Sequence, residues 1–490
     1  MSFVRQRSVA TFRVASLLGS ALAILVGCSD NPGAGPGKSQ TSSSGVKGAA
    51  GAGKAASGGG GARAASRKPN NQTGPDTNPD TACPVVVADA DCDKSQRPFV
   101  FVHGTYGSGD NIANVALLFG SNGYCQDRFV AVEYNSLGDS PVSNGTLDAL
   151  IDKVLKDTGA DKVDLAGHSQ GTGHCTNYLS DAAHAAKVAH YINLSGGSTV
   201  PNNIPTLSIS SMNDLNGTPH HAPNAEKTVT LTDEDHFGVA ASQKSFVAMW
   251  KYLHDDKDPQ YTEIQCGEDP ITIEGIAETF ADNTPVQGGK LELYEVDASG
   301  DPRPSRTPLM TIDGGSDGHV GPIQLERLVQ YEFRGIDGQG KVQGHVFFTP
   351  FKRSNRLARF LSPSQNPLVA SLTTNMVVKG DKFSALVGRY MGGAFRHDLG
   401  NSLKFNAAEV LSDDNAGRTQ ITVGLFMSDQ NMNGMSDLGV AFSQPFIVGT
   451  DVYVDAGQPA WIDVTWNGQA AMRIPNWPSA SEGLLSLMLP

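Results

Sequence analysis

The stretch that most constrains this chain is Val163-Asp164-Leu165-Ala166-Gly167-His168-Ser169-Gln170-Gly171. An apolar run stops abruptly at Gly-His-Ser-Gln-Gly, and a helix-compatible segment, Thr172 to Lys187, follows. Strand, tight turn and helix form the context in which G-x-S-x-G lifts a serine hydroxyl clear of the backbone. There a base can take its proton and a carbonyl carbon can reach it. Gly167 and Gly171 leave room where the turn presses strand and helix together. The bare pattern is weak in a chain with 55 glycines, so the flanking periodicities give it its weight. Ser169 is the candidate nucleophile.

On such a turn the acid and the histidine follow the serine in that order. Seven histidines lie between Ser169 and residue 254. His174, His184 and His190 fall in the following helix or at the start of the next strand. His254 ends a helix, and His220 and His221 lie in a loop. His236 comes just after the apolar strand Thr228 to Leu231 and before the helix Ser245 to Leu253, which makes it the candidate base ahead of His220 or His221. Asp214 closes the strand region that begins at Thr206 and is the candidate acid. Asp233 and Asp235 are too near His236 in sequence to orient it and are expected to solvate its loop. Asp164, inside the strand of the motif, is expected to be structural. The oxyanion of an acyl-transfer intermediate needs two aimed N–H donors. Gln170, next to the nucleophile, and Thr105, after His103-Gly104, are the candidates.

The rest of the chain frames this site. A net charge of −13 without a basic patch argues against nucleic acid as a partner. Arg5, Arg7 and Arg13, the apolar run Val14 to Val26 and Leu25-Val26-Gly27-Cys28 resemble a bacterial lipoprotein signal, removed before a lipidated Cys28. Ser29 follows that cysteine, which points to attachment at the cell surface or outer membrane. Residues 28–82 are Gly, Ala, Ser and Pro-rich and read as a flexible tether. Apart from Cys28 there are five cysteines, an odd number in an exported chain. Cys175 is expected to stay unpaired, and Cys83, Cys92, Cys125 and Cys266 allow three pairings.

Between residues 83 and 266, apolar strands alternate with helical segments, as in a mainly parallel sheet covered on both faces. From 267 to the end the text is all-β, with short alternating strands and turn-rich joints. It divides into a sandwich-like part, 267–362, and a further β-domain, 363–490. Asp429-x-Asn431-x-Asn433-Gly434-x-x-Asp437 matches the opening of an EF-hand-type loop, but Val440 stands where a glutamate would complete it. The letters fit either a structural calcium site or a solvated turn.

These motifs resemble the bacterial and archaeal lipases of the α/β-hydrolase superfamily, most closely an archaeal type with a C-terminal β-barrel domain. The resemblance is carried by His103-Gly104, Gly167-His168-Ser169-Gln170-Gly171, Lys187-Val188-Ala189-His190 and Asp235-His236. Looser patterns follow, at Tyr331-Glu332-Phe333, Arg359-Phe360-Leu361 and Trp477-Pro478-Ser479. It implies an α/β-hydrolase domain that cleaves acylglycerols or other fatty-acyl esters without a catalytic cofactor, and a β-region that meets lipid. One departure concerns the acid. The archaeal type carries it in Leu-Asp-Gly after the next strand, where this chain has Leu194-Ser195-Gly196, so the acid is expected one strand later, at Asp214. Asn135 to Asn144 is short for a helical lid, which suggests an open site. Two rivals remain: a polyester depolymerase, and a surface lipid-binding protein with an inactive hydrolase domain.

Overall fold

The computed structural model describes residues 83–138, 142–364, 370 and 381–490. The expected signal, Cys28 and the tether lie outside the described residues.

Six strands build the first sheet: β1 (Phe99–Val102), β2 (Phe129–Val132), β3 (Val163–His168), β4 (Val188–Leu194), β5 (Thr206–Asn213) and β6 (Lys227–Asp235). Their order is β2-β1-β3-β4-β5-β6, and every pairing is parallel. Parallel strands need crossovers, and the first three are helical: α1 (Ala113–Ser121), α2 (Asn144–Thr158) and α3 (Gln170–Leu179); α4 (Gln243–Leu253) follows β6. The apolar run in β1 is continuous because both its faces are covered. Phe99 and Phe101 share a core with Phe119 of α1 and Phe246 of α4, while Val100 and Val102 share another with Ile151 of α2 and Tyr178 of α3. This is the α/β-hydrolase arrangement expected for this part of the chain.

Cys83 pairs with Cys266, tying the start of the described chain to the end of the α/β part, and Cys92 pairs with Cys125. Cys175 is free and buried.

The β-region forms three further sheets. The largest has nine strands in the order β18 (Val440–Gln444), β19 (Phe446–Asp451), β17 (Thr422–Ser428), β14 (Ala385–Tyr390), β22 (Leu484–Leu489), β12 (Val342–Phe348), β11 (Tyr331–Ile336), β8 (Lys290–Glu295) and β9 (Met310–Asp313). On one side it packs against β10 (His319–Leu325), β7 (Ile271–Thr279) and β13 (Asn355–Ser362). On the other it packs against β16 (Ala408–Glu409), β15 (Leu403–Phe405), β20 (Trp461–Trp466) and β21 (Gln469–Pro475). Strands from both sides of the boundary expected near residue 362 share this nine-stranded sheet. β22 bonds in parallel to β12 on one side and to β14 on the other, joining the two halves of the region. Along β22 the period-two rule of strands divides the side chains. Leu484 and Met488 enter one core, and Leu485, Leu487 and Leu489 enter the other.

Candidate active site

Ser169 stands where β3 gives way to α3, with φ 52° and ψ −119°. Such a backbone costs a non-glycine residue energy and persists only where its surroundings enforce it. The Ser169 N–H donates to the Leu194 carbonyl at 2.9 Å, and Thr172 Oγ1 donates to the Ser169 carbonyl at 2.7 Å. Gly171 is required by contact: a Cβ there would lie 2.2 Å from the Val102 carbonyl oxygen and 2.6 Å from that of His103. A Cβ on Gly104 would lie 2.9 Å from the Ser169 Cβ, so the turn after β1 passes directly over the candidate nucleophile.

That turn carries Thr105. Thr105 Oγ1 donates to Gln170 Oε1 at 3.2 Å, which brings the two expected oxyanion residues together. Gln170 opens α3, so its N–H is among those a helix leaves without an internal acceptor. The Thr105 N–H likewise meets no acceptor among the described residues.

Asp214 follows β5, and His236 follows β6. His236 Nδ1 bonds to Asp214 Oδ1 at 2.5 Å, with both side chains buried. Ser210 Oγ donates to Asp214 Oδ2 at 2.7 Å, and the Leu215 N–H donates to Oδ1 at 2.7 Å. Burial alone would raise the Asp214 carboxyl, but the His236 ring and nearby hydroxyls outweigh it and hold the group well below the ordinary carboxylate range. With Nδ1 engaged, Nε2 is the ring nitrogen left for proton transfer. The His236 carbonyl accepts a bond from His168 Nε2 at 2.9 Å, which fastens the His236 loop to the residue before Ser169. Burial, with the neighbouring His236 ring, pushes the His168 imidazole down to about 3, so it serves this loop as a neutral donor.

The alternatives to His236 lie apart. His220 Nδ1 is 3.6 Å from Asp214 Oδ2, on the far oxygen and substantially exposed, and His221 bonds to Thr230. Asp164 is bound by His190 at 2.8 Å, in keeping with a structural part. Asp233 is exposed and pairs with Lys244. Asp235 departs from the expectation that it solvates its loop. It is buried and accepts from the N–H groups of Phe237 and Gly238 at 2.7 and 3.0 Å, and from that of Ala394 at 3.1 Å. Its burial follows from that bond, which crosses from the histidine loop into the β-region.

Phe237 and Phe446 flank the His236 ring. Phe446, at the start of β19, lies nearly parallel to the imidazole with centroids 6.4 Å apart. It meets Phe237 edge-on at 5.0 Å and Tyr106 at 6.1 Å. Tyr106 and Phe446 both hold positive φ, 59° and 66°, rare for bulky residues. Leu137 and Leu215 are partly buried against the wider apolar core that includes Tyr106, Phe237 and Phe446. Residues 139–141 of the stretch expected to replace a lid lie outside the described residues.

Asp429, Asn431, Asn433 and Asp437 lie between β17 and β18. The Asp429 carboxylate accepts from the N–H groups of Asn433 and Gly434, and the Asn431 amide donates to Asp451 at 2.6 Å. Among the described residues, no three His, Cys, Asp or Glu side chains gather as a metal site.

Phe446 and His168 also belong to this site and had no role assigned from the sequence. Only His168, inside the motif itself, carried a signal that could have found it.

A family model for the alpha/beta hydrolase fold matches residues 97–219. A model for the lipase C-terminal domain matches residues 269–365, and a second C-terminal-domain model matches 388–489. Among solved structures, lipase B of Aspergillus fumigatus is similar at 13% identity and TM-score 0.27, over 35% of this chain and 56% of that one. Carboxylesterase CesB of Bacillus subtilis matches at 14% and 0.24, over 34% and 86%. Lipase BlEst2 of Bacillus licheniformis, in its propeptide form, matches at 12% and 0.28, over 54% and 93%.

Proposed function

Because this chain belongs to the lipase-type α/β hydrolases, and is an ester hydrolase in that general sense, we propose that it cleaves fatty-acyl esters, acylglycerols among them, through an acyl-enzyme on Ser169. Ser169 Oγ attacks the ester carbonyl as His236 Nε2 takes its proton, and the same nitrogen then protonates the leaving alcohol. Asp214 fixes the imidazole tautomer and balances the imidazolium charge. The N–H groups of Thr105 and Gln170 stabilise the oxyanion. Water deacylates the serine with His236 as base. The chain supplies nucleophile, base and donors, so the reaction calls for no cofactor. The observation that carries this reading is the buried Asp214–His236 bond fastened beside a serine held at φ 52°. The aromatic and aliphatic groups around His236 favour an apolar acyl chain as the substrate's acid part.

The proposal includes export and a lipid anchor at Cys28, with the tether carrying the enzyme away from the membrane surface. A fluorophosphonate should label the full-length protein in the membrane fraction, with nitrophenyl ester hydrolysis lost in step. Ser169→Ala should abolish labelling and turnover, and Cys28→Ser should move the labelled protein to the soluble fraction. Labelling that survives Ser169→Ala would sink the enzyme reading, and membrane retention of Cys28→Ser would sink the anchor.

A further inference from the structure

The turn that carries Thr105 is held from behind by the β-region. Asn283 sits just after β7, with φ 48° and its side chain buried. Its Nδ2 lies 3.2 Å from His103 Nε2, 2.7 Å from the Gly107 carbonyl and 3.1 Å from the Tyr134 carbonyl. His103 and Gly107 are the two ends of the turn, which closes on itself through Gly107 N–H to the Gly104 carbonyl at 3.0 Å. One amide therefore grips both ends of a five-residue turn with Thr105 at its middle.

The Asn283 amide has two N–H donors, which its three acceptors share. Burial lowers the His103 pKa and keeps the ring neutral. Its Nδ1–H donates to the Gly104 carbonyl at 2.8 Å, so Nε2 is the acceptor that Asn283 requires. On its other face the His103 ring stacks on Tyr134 at 4.2 Å, and the Tyr134 hydroxyl donates to the His103 carbonyl at 2.6 Å. The residues that follow the turn are fixed in the same way. Gly109 N–H donates to Glu133, which pairs with Arg359 of β13, and Asp110 receives both guanidinium nitrogens of Arg389 of β14 at 2.8 and 3.2 Å.

We infer that Asn283 is a positioning residue for ester hydrolysis: from the β-region it fixes the turn whose Thr105 N–H meets the developing oxyanion. The inference rests on the reading of Thr105 and Gln170 as the oxyanion donors. Such donors act by being aimed before the reaction begins, so loosening the turn lowers turnover and leaves ground-state binding nearly unchanged.

Two variants test it in the full-length protein. Asn283→Gly suits the positive φ and deletes the amide, while Asn283→Asp keeps the shape and replaces the donors with an acceptor. With nitrophenyl butyrate, and active sites counted by fluorophosphonate titration, each should lose roughly ten- to a hundred-fold in kcat per titrated site, as misplaced catalytic groups do, with KM within about twofold. Affinity for a trifluoromethyl ketone, which mimics the oxyanion, should fall in parallel. A kcat per titrated site within about twofold of wild type in both variants would overturn the inference. Failure of both to fold would overturn it too, since the amide would then secure the domain seam as a whole. A wild-type protein that neither hydrolyses the ester nor takes the label would remove the underlying hydrolase reading instead.

Discussion

Ser195 stands at the end of β4 where the archaeal-type lipases place their acid, and it holds φ 56° in a buried setting. Here that strand end carries a serine, and the proposed acid is Asp214, after β5. Asp214→Asn should lower kcat by about ten-thousand-fold by favouring the wrong imidazole tautomer. Adding Ser195→Asp should restore at least tenfold of it, measured as ester hydrolysis per titrated site, and no recovery would mean that the two strand ends are not interchangeable. The depressed Asp214 carboxyl also contributes stability that is complete above the ordinary carboxylate range and lost as pH falls toward its folded value. The candidate nucleophile, base, acid and donors could be found in the sequence because each sits at a fixed place relative to a strand end. Asn283 and Phe446 could not. Their partners are set by how sheets pack, and an asparagine in a polar turn or a phenylalanine opening a strand looks the same with or without that contact.

At the scale of elements, the parallel strands were legible because burial on both faces turns a strand into an unbroken apolar run, as in Phe99-Val100-Phe101-Val102. The same physics was harder to see in the β-region, where polar–apolar alternation suggests one wet face. The nine-stranded sheet is covered on both sides at its centre, and Leu484-Leu485-Ser486-Leu487-Met488-Leu489 belongs there. Leu487 is fully buried, so Leu487→Ala should cost roughly 2–5 kcal/mol. Urea unfolding followed by intrinsic fluorescence would measure it, and a loss below 1 kcal/mol would mean that the site collapses around the gap. The family models divide the β-region at residues 365 and 388, while its hydrogen bonds run across that division. Sequence boundaries and sheet boundaries differ here because a strand from the end of the chain pairs with one from each side.

Across the whole molecule, a buried ionic cluster joins the two regions: Glu133 and Asp110 from the α/β part, and Glu278, Arg359 and Arg389 from the β-region. Two guanidinium groups face three carboxyls. Burial, with the negative charge of Glu133, raises the Glu278 carboxyl well above the usual range. The sign follows from linkage. A carboxyl raised by folding makes stability fall as pH climbs from its ordinary range toward its folded value. Glu278→Gln removes that dependence, so its gain in Tm over wild type should be larger at pH 8 than at pH 5. An equal gain at both values would show that Glu278 is ionised in the folded protein.

The place of β22 also bears on when this protein becomes an enzyme. A ribosome makes β1 to β6 early, and those strands pair with neighbours already synthesised. The central strand of the β-region follows β12 and β14 in sequence, and these two have no shared partner until it is added. Asn283, Arg359 and Arg389 reach the Thr105 turn and the residues after it from that region, so a chain made only as far as β6 holds Ser169, Asp214 and His236 without those contacts.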